Sequence, residues 1–434
     1  MALTRTPHPR QGWRSSARSA YSVGLVPKRP VYTGWKVVGA SAGFWALQSM
    51  LWMQGFGNIA VELRNNFGWS KTLFSTAFSG TRTGIAILGP IVGIGIRRHG
   101  TKSVLRAGSV FILLGFLALS QIQTQLHFIL ALSVAAFGMA FAGFITITSA
   151  LVQWFERKRA QALSFQTMGF AIGGFAGPLL VVAFNVFGWR WSLAGSGVVL
   201  SLGGWFAAGT IGIDRASTNE PMDGIERGGD DGERAAGVSD VHFSVGAAVR
   251  TRAFWMVSLG HGAALLVVTA VIAHVALYLT EDRGFSPQRA ALIAGIIPVF
   301  QFFGTGLGGY LGDRMNKRVI VVIAMCFHGV GLLVMTWIES PLTIGLFVVM
   351  HGLAWGARGP LMQAIRADYF GSTNFAEIMG WSAIVVLSGT VVGPLIAGVL
   401  ADATGNYRLG FTIIALLTLA GNGFWALASP PNNS

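Results

Sequence analysis

The feature that most limits the fold is an internal echo. The turn GYLGDRMNKR, Gly309 to Arg318, sits between two apolar runs, and 216 residues earlier the chain reads GIGIRRHGTK, Gly93 to Lys102. At that offset Gly309 falls on Gly93, Arg314 on Arg98 and Arg318 on Lys102. Gly284 and Ser286 fall on Gly68 and Ser70, and Gly389, Gly393, Pro394 and Leu395 fall on Gly173, Gly177, Pro178 and Leu179. A chain written twice is expected to fold as two similar halves.

The solvent for those halves follows from composition. Hydrophobic residues make up 53% of the chain and charged residues only 11%, against roughly 25% charged in soluble proteins. A mean hydropathy of +0.59 excludes an ordinary water-soluble globule. A span needs about 20 apolar residues, and twelve such runs are expected: 34–62, 71–96, 103–122, 126–153, 160–187, 190–212, 252–280, 286–311, 319–338, 341–368, 374–401 and 406–428. Six lie on each side of a polar segment, 213–251, so the expected class is an all-α membrane protein of two six-helix halves. That segment holds Asp214, Glu220, Asp223, Glu226, Asp230, Asp231, Glu233 and Asp240 and reads as a solvated linker. A short tail, 429–434, ends the chain.

Charge placement sets the expected orientation. With the N-terminus inside, the inner segments hold 23 Lys and Arg and the outer ones 6, a bias that puts both termini, the linker and both glycine-rich turns in the cytoplasm. The same bias explains the net charge of +14 without nucleic acid. Residues 1–33 carry Arg5, Arg10, Arg14, Arg18, Lys28 and Arg29 and no acid. A mitochondrial presequence has that composition, but so does a basic tail that holds a first span inside; the expectation is a multi-pass protein of the cell (plasma or inner) membrane. The single cysteine, Cys326, allows no internal disulfide.

Glycine recurs at four-residue spacing as Gly169, Gly173 and Gly177, as Gly304, Gly308 and Gly312, and as Gly389 and Gly393. Such small faces let helices of one bundle approach closely, which fits a monomer. Pro178 and Pro394 remove a backbone donor at matching depth and predict matching bends.

Chemistry must come from polar residues deep in the spans. Arg82 falls near the centre of the second and Arg358 near the centre of the tenth, with no comparably deep acid. An unpaired arginine there costs about 2.5–3.5 kcal/mol. A carboxylate at ~4 Å would return about 4 kcal/mol at an effective dielectric near 20, which makes an anion the natural partner; bonding to backbone carbonyls, some freed by Pro360, is the alternative. His351, Trp355, Arg358, Met362 and Arg366 form one stripe of the tenth span, Trp45, Gln48, Trp52 and Gly55 one of the first, and Thr72, Ser75, Ser79 and Arg82 one of the second. The candidate substrate contacts are therefore Arg358, Arg82, Gln48, Trp52, Trp355 and His351. His261, His274, His328 and His351 titrate nearest neutral pH and are the candidate proton carriers. Their scatter over three spans argues against a metal site, and no phosphate loop, nucleophile elbow or cofactor signature appears, so neither an enzyme nor a cofactor is expected.

These residues carry a resemblance. The turn GYLGDRMNKR resembles the cytoplasmic loop signature of the major facilitator superfamily, and its recurrence two spans into each half is that superfamily's arrangement. More narrowly, GWS (68–70), WFERKRAQA (154–162) and DYFG (368–371) resemble the monocarboxylate transporter and oxalate:formate antiporter branch. The resemblance implies a secondary active transporter of small organic anions, monocarboxylates foremost, working by alternating access with proton coupling or exchange. An exporter of hydrophobic drugs or other amphiphiles is the alternative, favoured by the many aromatics. Two departures matter: Arg97 stands at the first signature's aspartate position, and Gln301 stands in the eighth span, where monocarboxylate carriers tend to place an acid and arginine pair. Gln301 thereby joins the candidate contacts. In the superfamily each turn packs against a helix start of the other half, which implies a gate of Arg97, Arg98, Asp313, Arg314, Asp368 and Glu377. Asp313 would meet Arg157, Lys158 and Arg159, while Arg97 would meet Asp368 or Glu377.

Overall fold

A computed structural model describes residues 31–225 and 243–431. The basic tail through residue 30 and the linker acids Glu226, Asp230, Asp231, Glu233 and Asp240 lie outside the described residues. Helix accounts for nearly all the rest, with no strand among the described residues.

In the first half, α1 (Thr33–Gln48), a π turn (Ser49–Met53) and α2 (Gly55–Phe67) make the first span. α3 (Lys71–Ile87) runs into α4 (Gly89–Ser120), which breaks at Gly100 (φ 76°) and so holds the end of the second span and all of the third. α5 (Gln125–Phe141) and α6 (Phe144–Trp154) form the fourth, and α7 (Arg159–Phe175) with the start of α8 (Pro178–Ile211) forms the fifth. A second break at Gly188 (φ 75°) opens the sixth. After the short α9 (Val245–Arg250), the second half is more regular. It runs α10 (Arg252–Glu281), α11 (Pro287–Gly312), α12 (Lys317–Trp337), α13 (Pro341–Phe370) and α14 (Phe375–Thr404). α15 (Arg408–Ala420) and α16 (Asn422–Leu427) close the twelfth span. Among the described residues nine helical segments are long and apolar enough to cross a membrane, the broken Gly89–Ser120 and Pro178–Ile211 among them. Large side chains on the outer surface, Trp191, Phe206 and Leu342 among them, are apolar and exposed, as lipid contact requires.

The echo in the sequence has a local cause at each place. Gly68 and Gly284 both take the left-handed conformation (φ 69° and 68°), which glycine adopts without steric cost. Two residues on, Ser70 and Ser286 cap the next helices, accepting from the amides of Leu73 and Arg289. The four-residue glycines mark crossings inside each half. A Cβ on Gly169 or Gly173 would strike the carbonyls of Ala42 or Ala46 on α1, and one on Gly389 or Gly393 those of Gly262 or Leu266 on α10.

The prolines differ from expectation. Pro178 follows an interruption at Ala176 and Gly177, where Gly177 N bonds Gly174 O, whereas Pro394 lies within the continuous α14. Gly173, Gly174 and Gly177 soften the first site, while the β-branched Thr390, Val391 and Val392 stiffen the second.

The halves meet at the end that carries both glycine-rich turns, here termed the basic end. There a Cβ on Gly93 would lie 2.5 Å from Glu377 Cα, and one on Gly309 2.7 Å from Ser164 Cβ. Toward the other end the same faces have room: Ser75, Ser79 and Arg82, on the Gly89 face of α3, are exposed, and an added Cβ at Gly295, on the Gly309 face of α11, would meet nothing within 4 Å. The bundle is thus closed at the basic end and loosens away from it.

Candidate functional site

The second and eighth spans position the closure. Asp313, at the end of α11, accepts from the backbone amides of Ala160 (2.8 Å) and Gln161 (3.1 Å) at the start of α7. The expected partners were the side chains of Arg157, Lys158 and Arg159. The free amides and positive dipole end of a helix start win instead, and Arg159 turns to Asp368, which also binds Lys317 at 2.8 Å. Burial pushes the Asp313 carboxyl up from its ordinary range, opposed by those two amide bonds. Opposite, Arg97 Nε lies 3.0 Å from Glu377 Oε1, near enough for charge attraction though off the line of an aligned hydrogen bond. Arg98 and Arg314 stay exposed, the latter stacked 3.7 Å over Tyr310.

Two linker acids are not solvated as the sequence suggested. Glu220 accepts from the amide and hydroxyl of Thr33, and Asp223 from the amides of Glu156, Arg157 and Lys158. Their reason is the same: a helix entry and a tight loop offer amides without partners. Composition gave no sign of it.

Above the closure, α3 continues the helix that carries Gly89 and Gly93. Arg82 lies seven residues before Gly89 and so shares its face, which points across to the second half; Ser75 and Ser79 extend that face, and all three are exposed. The Arg82 guanidinium sits 4.8 Å over the ring of Phe78, with no carboxylate paired to it.

Arg358 is 1% exposed, and each of its three guanidinium nitrogens has a partner. Nε donates to His328 Nε2 (3.1 Å), Nη2 to the carbonyl of Ala264 (3.1 Å) and Nη1 to the sulfur of Met362 (3.5 Å). Arginine has no acceptor, so His328 Nε2 is unprotonated and its proton sits on Nδ1. From there it is donated across 3.0 Å to His351 Nδ1. The His351 proton is then left on Nε2, which is buried without a partner. About two turns toward the basic end of α13, Arg366 is held as firmly. It donates to the Ser382 hydroxyl, the Gln363 side chain, the Met362 carbonyl and His261 Nδ1. Neither arginine has an acidic partner.

The remaining candidates are packed. Gln48 donates to the carbonyl of Ala142, and Trp52 is buried against Phe56 and Phe116. Gln301 is buried where Gly352 and Gly356 of α13 press on its backbone. Trp355 is partly buried beside His351. His274 bridges Tyr407 and the carbonyl of Pro394, tying α10 to α14. The structure therefore joins Arg358, His328 and His351 in one network and leaves Arg82 apart. Arg366, Gln363 and Ser382 were missed as site residues, although Arg366 already stood on the stripe of Arg358. No group of three or more metal-ligating side chains occurs among the described residues.

A close crossing at the basic end repeated in two halves, a loosened opposite end and buried cations between them fit a membrane transporter of the two-half, twelve-helix class. The Major Facilitator Superfamily profile matches residues 39–275 and 257–434, and the chain belongs to that family. It is 25% identical over 399 residues to monocarboxylate transporter 13 of Bos taurus, covering 90% of this chain and 88% of the relative. It is 26% identical over 419 residues to a gallate transporter of Pseudomonas putida, covering 86% and 89%, and 25% identical over 311 residues to a hexuronate transporter of Escherichia coli, covering 67% and 70%. Among solved structures, the transporter FucP in its outward conformation superposes with a TM-score of 0.70 at 16% identity, covering 92% of this chain and all of that one. The human organic anion transporter MFSD10 gives 0.68 at 14% identity over 91% of this chain and 99% of that one.

Proposed function

We propose that this protein is a secondary active transporter of small carboxylates, monocarboxylates foremost, and that its basic end faces the cytoplasm. The observation that carries the reading is the uncompensated positive charge of the interior. Arg82 stands exposed on the face between the halves, and Arg358 and Arg366 are buried in the second half among neutral partners. The described acids lie near helix ends instead. Charges without counter-ions in a low-dielectric interior attract an anion far more strongly than they would in water. Arg82, free of a carboxylate, is the direct ligand in this reading, and Arg358 supplies charge from behind the wall.

The relatives named above carry monocarboxylates, gallate and hexuronates, which share a carboxylate and little else. That common group supports the class and leaves the body of the substrate open. Among the described residues no carboxylate lies deep in a span to shuttle a proton, so coupling falls to exchange, to the embedded histidines or to the substrate's own carboxyl.

The test is uptake of labelled lactate, gallate and glucuronate into proteoliposomes, with and without a pH gradient or internal counter-substrate. Accumulation of one of them above protein-free vesicles, reduced at least tenfold in Arg82→Gln, is expected. Uptake of none, with export of a hydrophobic cation instead, would overturn the reading in favour of a drug exporter.

A further inference from the structure

His261 differs from the other histidines of the second half in where its second nitrogen leads. Its Nδ1 lies 3.0 Å from Arg366 Nη2. Arg366 can only donate, so Nδ1 must be the acceptor, and the proton of the neutral ring is fixed on Nε2. Arg366 is in turn immobilised by two bonds to Ser382 and by Met362 and Gln363. Ser382 is itself bonded to Ser258, three residues before His261 on α10.

The Nε2 proton has no acceptor among the described residues. His351 Nε2 is also unpartnered but is sealed from solvent, whereas His261 is only partly buried and its Nε2 is not among the sealed polar atoms. His261 is the tenth residue of α10, about 14 Å in from the basic end at 1.5 Å per residue. Its partner Arg366 bonds Ser382, two residues beyond Gly380, whose backbone meets Gly89 across the crossing, so His261 lies at the level just above the closure.

We infer that His261 is a substrate ligand: its Nε2–H, held in that tautomer by Arg366, donates to a carboxylate oxygen of the transported anion. Arg366 is a positioning residue that also places a full charge one bond behind the donor. An N–H polarised by a guanidinium on the far side of the ring is a stronger donor to an anion than an isolated imidazole. The same geometry denies His261 a second proton, because protonated Nδ1 would face a donor, so it is a fixed donor and not a proton carrier.

This rests on the carboxylate-transport reading, and two measurements separate their fates. The first needs no substrate: the 15N spectrum of histidine-labelled protein, assigned by its loss in His261→Gln, should show His261 as the neutral Nε2–H tautomer. Arg366→Met should shift it toward Nδ1–H while the protein stays folded by gel filtration. A resting spectrum with Nδ1–H dominant overturns the inference whatever the protein transports. The second is binding of lactate, gallate and glucuronate to the parent and to three variants. Gln places an amide N–H near the Nε2 position, so His261→Gln should keep affinity within about threefold. His261→Phe should lose at least tenfold, and Arg366→Met should weaken binding in step with its tautomer shift. Equal affinity in His261→Phe overturns the inference and leaves the transport reading standing. No binding of any of the three by the parent overturns both.

Discussion

Where α4 crosses α14, Gly93 admits the backbone of Glu377 and the charge across the crossing is an arginine set against a carboxylate. Where α11 crosses α7, Gly309 meets Ser164, and the charge is a carboxylate set against helix amides. The two crossings stand at equivalent places of the repeat. Their backbone geometry is shared because only glycine lets the chains come so near. Their polar chemistry is not shared, because an anion at a helix start needs donors of any kind, and either a main chain or an arginine can provide them.

The glycines should dominate. Gly93→Leu drives a side chain into the main chain of Glu377, and overpacking of about 1–3 kcal/mol would shift the closed-to-parted ratio roughly 5- to 150-fold toward parting. Spin labels at exposed Arg98 and Met315, in a Cys326→Ser background, read this as a longer distance across the basic end. An unchanged distance distribution would mean that the crossing is not what holds the end shut.

The amide-bound carboxylate should come next. Asp313→Ala strips two amides of their acceptor, worth about 0.5–2 kcal/mol by analogy with helix caps, or a shift of roughly 2- to 30-fold on the same labels. The pH response has a definite sign. The closed state holds Asp313 with a raised pKa, and parting returns the group to water and to its ordinary value. Closure therefore binds the proton more tightly and is favoured below the ordinary value. That advantage is lost as pH rises through the raised value. In Asp313→Asn, which keeps an acceptor but cannot titrate, this part of the pH response should vanish. A response of the same size in the variant would assign it to another group.

How much of this was legible beforehand depends on the kind of interaction. The crossings were readable because glycine spacing has one physical meaning in an apolar helix, and Gly68, Ser70, Gly284 and Ser286 because a left-handed turn and a cap each demand particular residues. Arg97 and Glu377 could be paired because an odd basic residue in one turn called for an odd acid in the facing helix. Arg358 was singled out by depth and Met362 by standing on its stripe, but its partners His328 and Ala264 come from two other helices, and such contacts leave no trace in a periodicity. Trp52 looked like a cavity wall because a stripe shows which residues share a face and not what that face touches. Asp223 was lost among acids whose composition reads as solvated.

The smallest expected effect is the coupling between Arg97 and Glu377. Arg97 is about half exposed, its side chain at 54%, while that of Glu377 is at 6%. Solvent reaches one partner only, so the attraction is screened toward the exposed-pair range of about 0.2–1 kcal/mol. The off-line geometry weakens it further. Yet a gate whose two states differ by a few kcal/mol responds to such a term. Arg97→Gln, Glu377→Gln and the double variant form a cycle that isolates the pair from what each residue does alone. The closed-to-parted ratio, from the same labels moved from Arg98 to His99, should show a coupling of about 1.5- to 5-fold, present at low salt and reduced at high salt. Independent, additive effects of the two substitutions would reduce Arg97 to a solvated base beside a buried acid. The two crossings would then differ in more than chemistry, with only the one at Asp313 latched by charge.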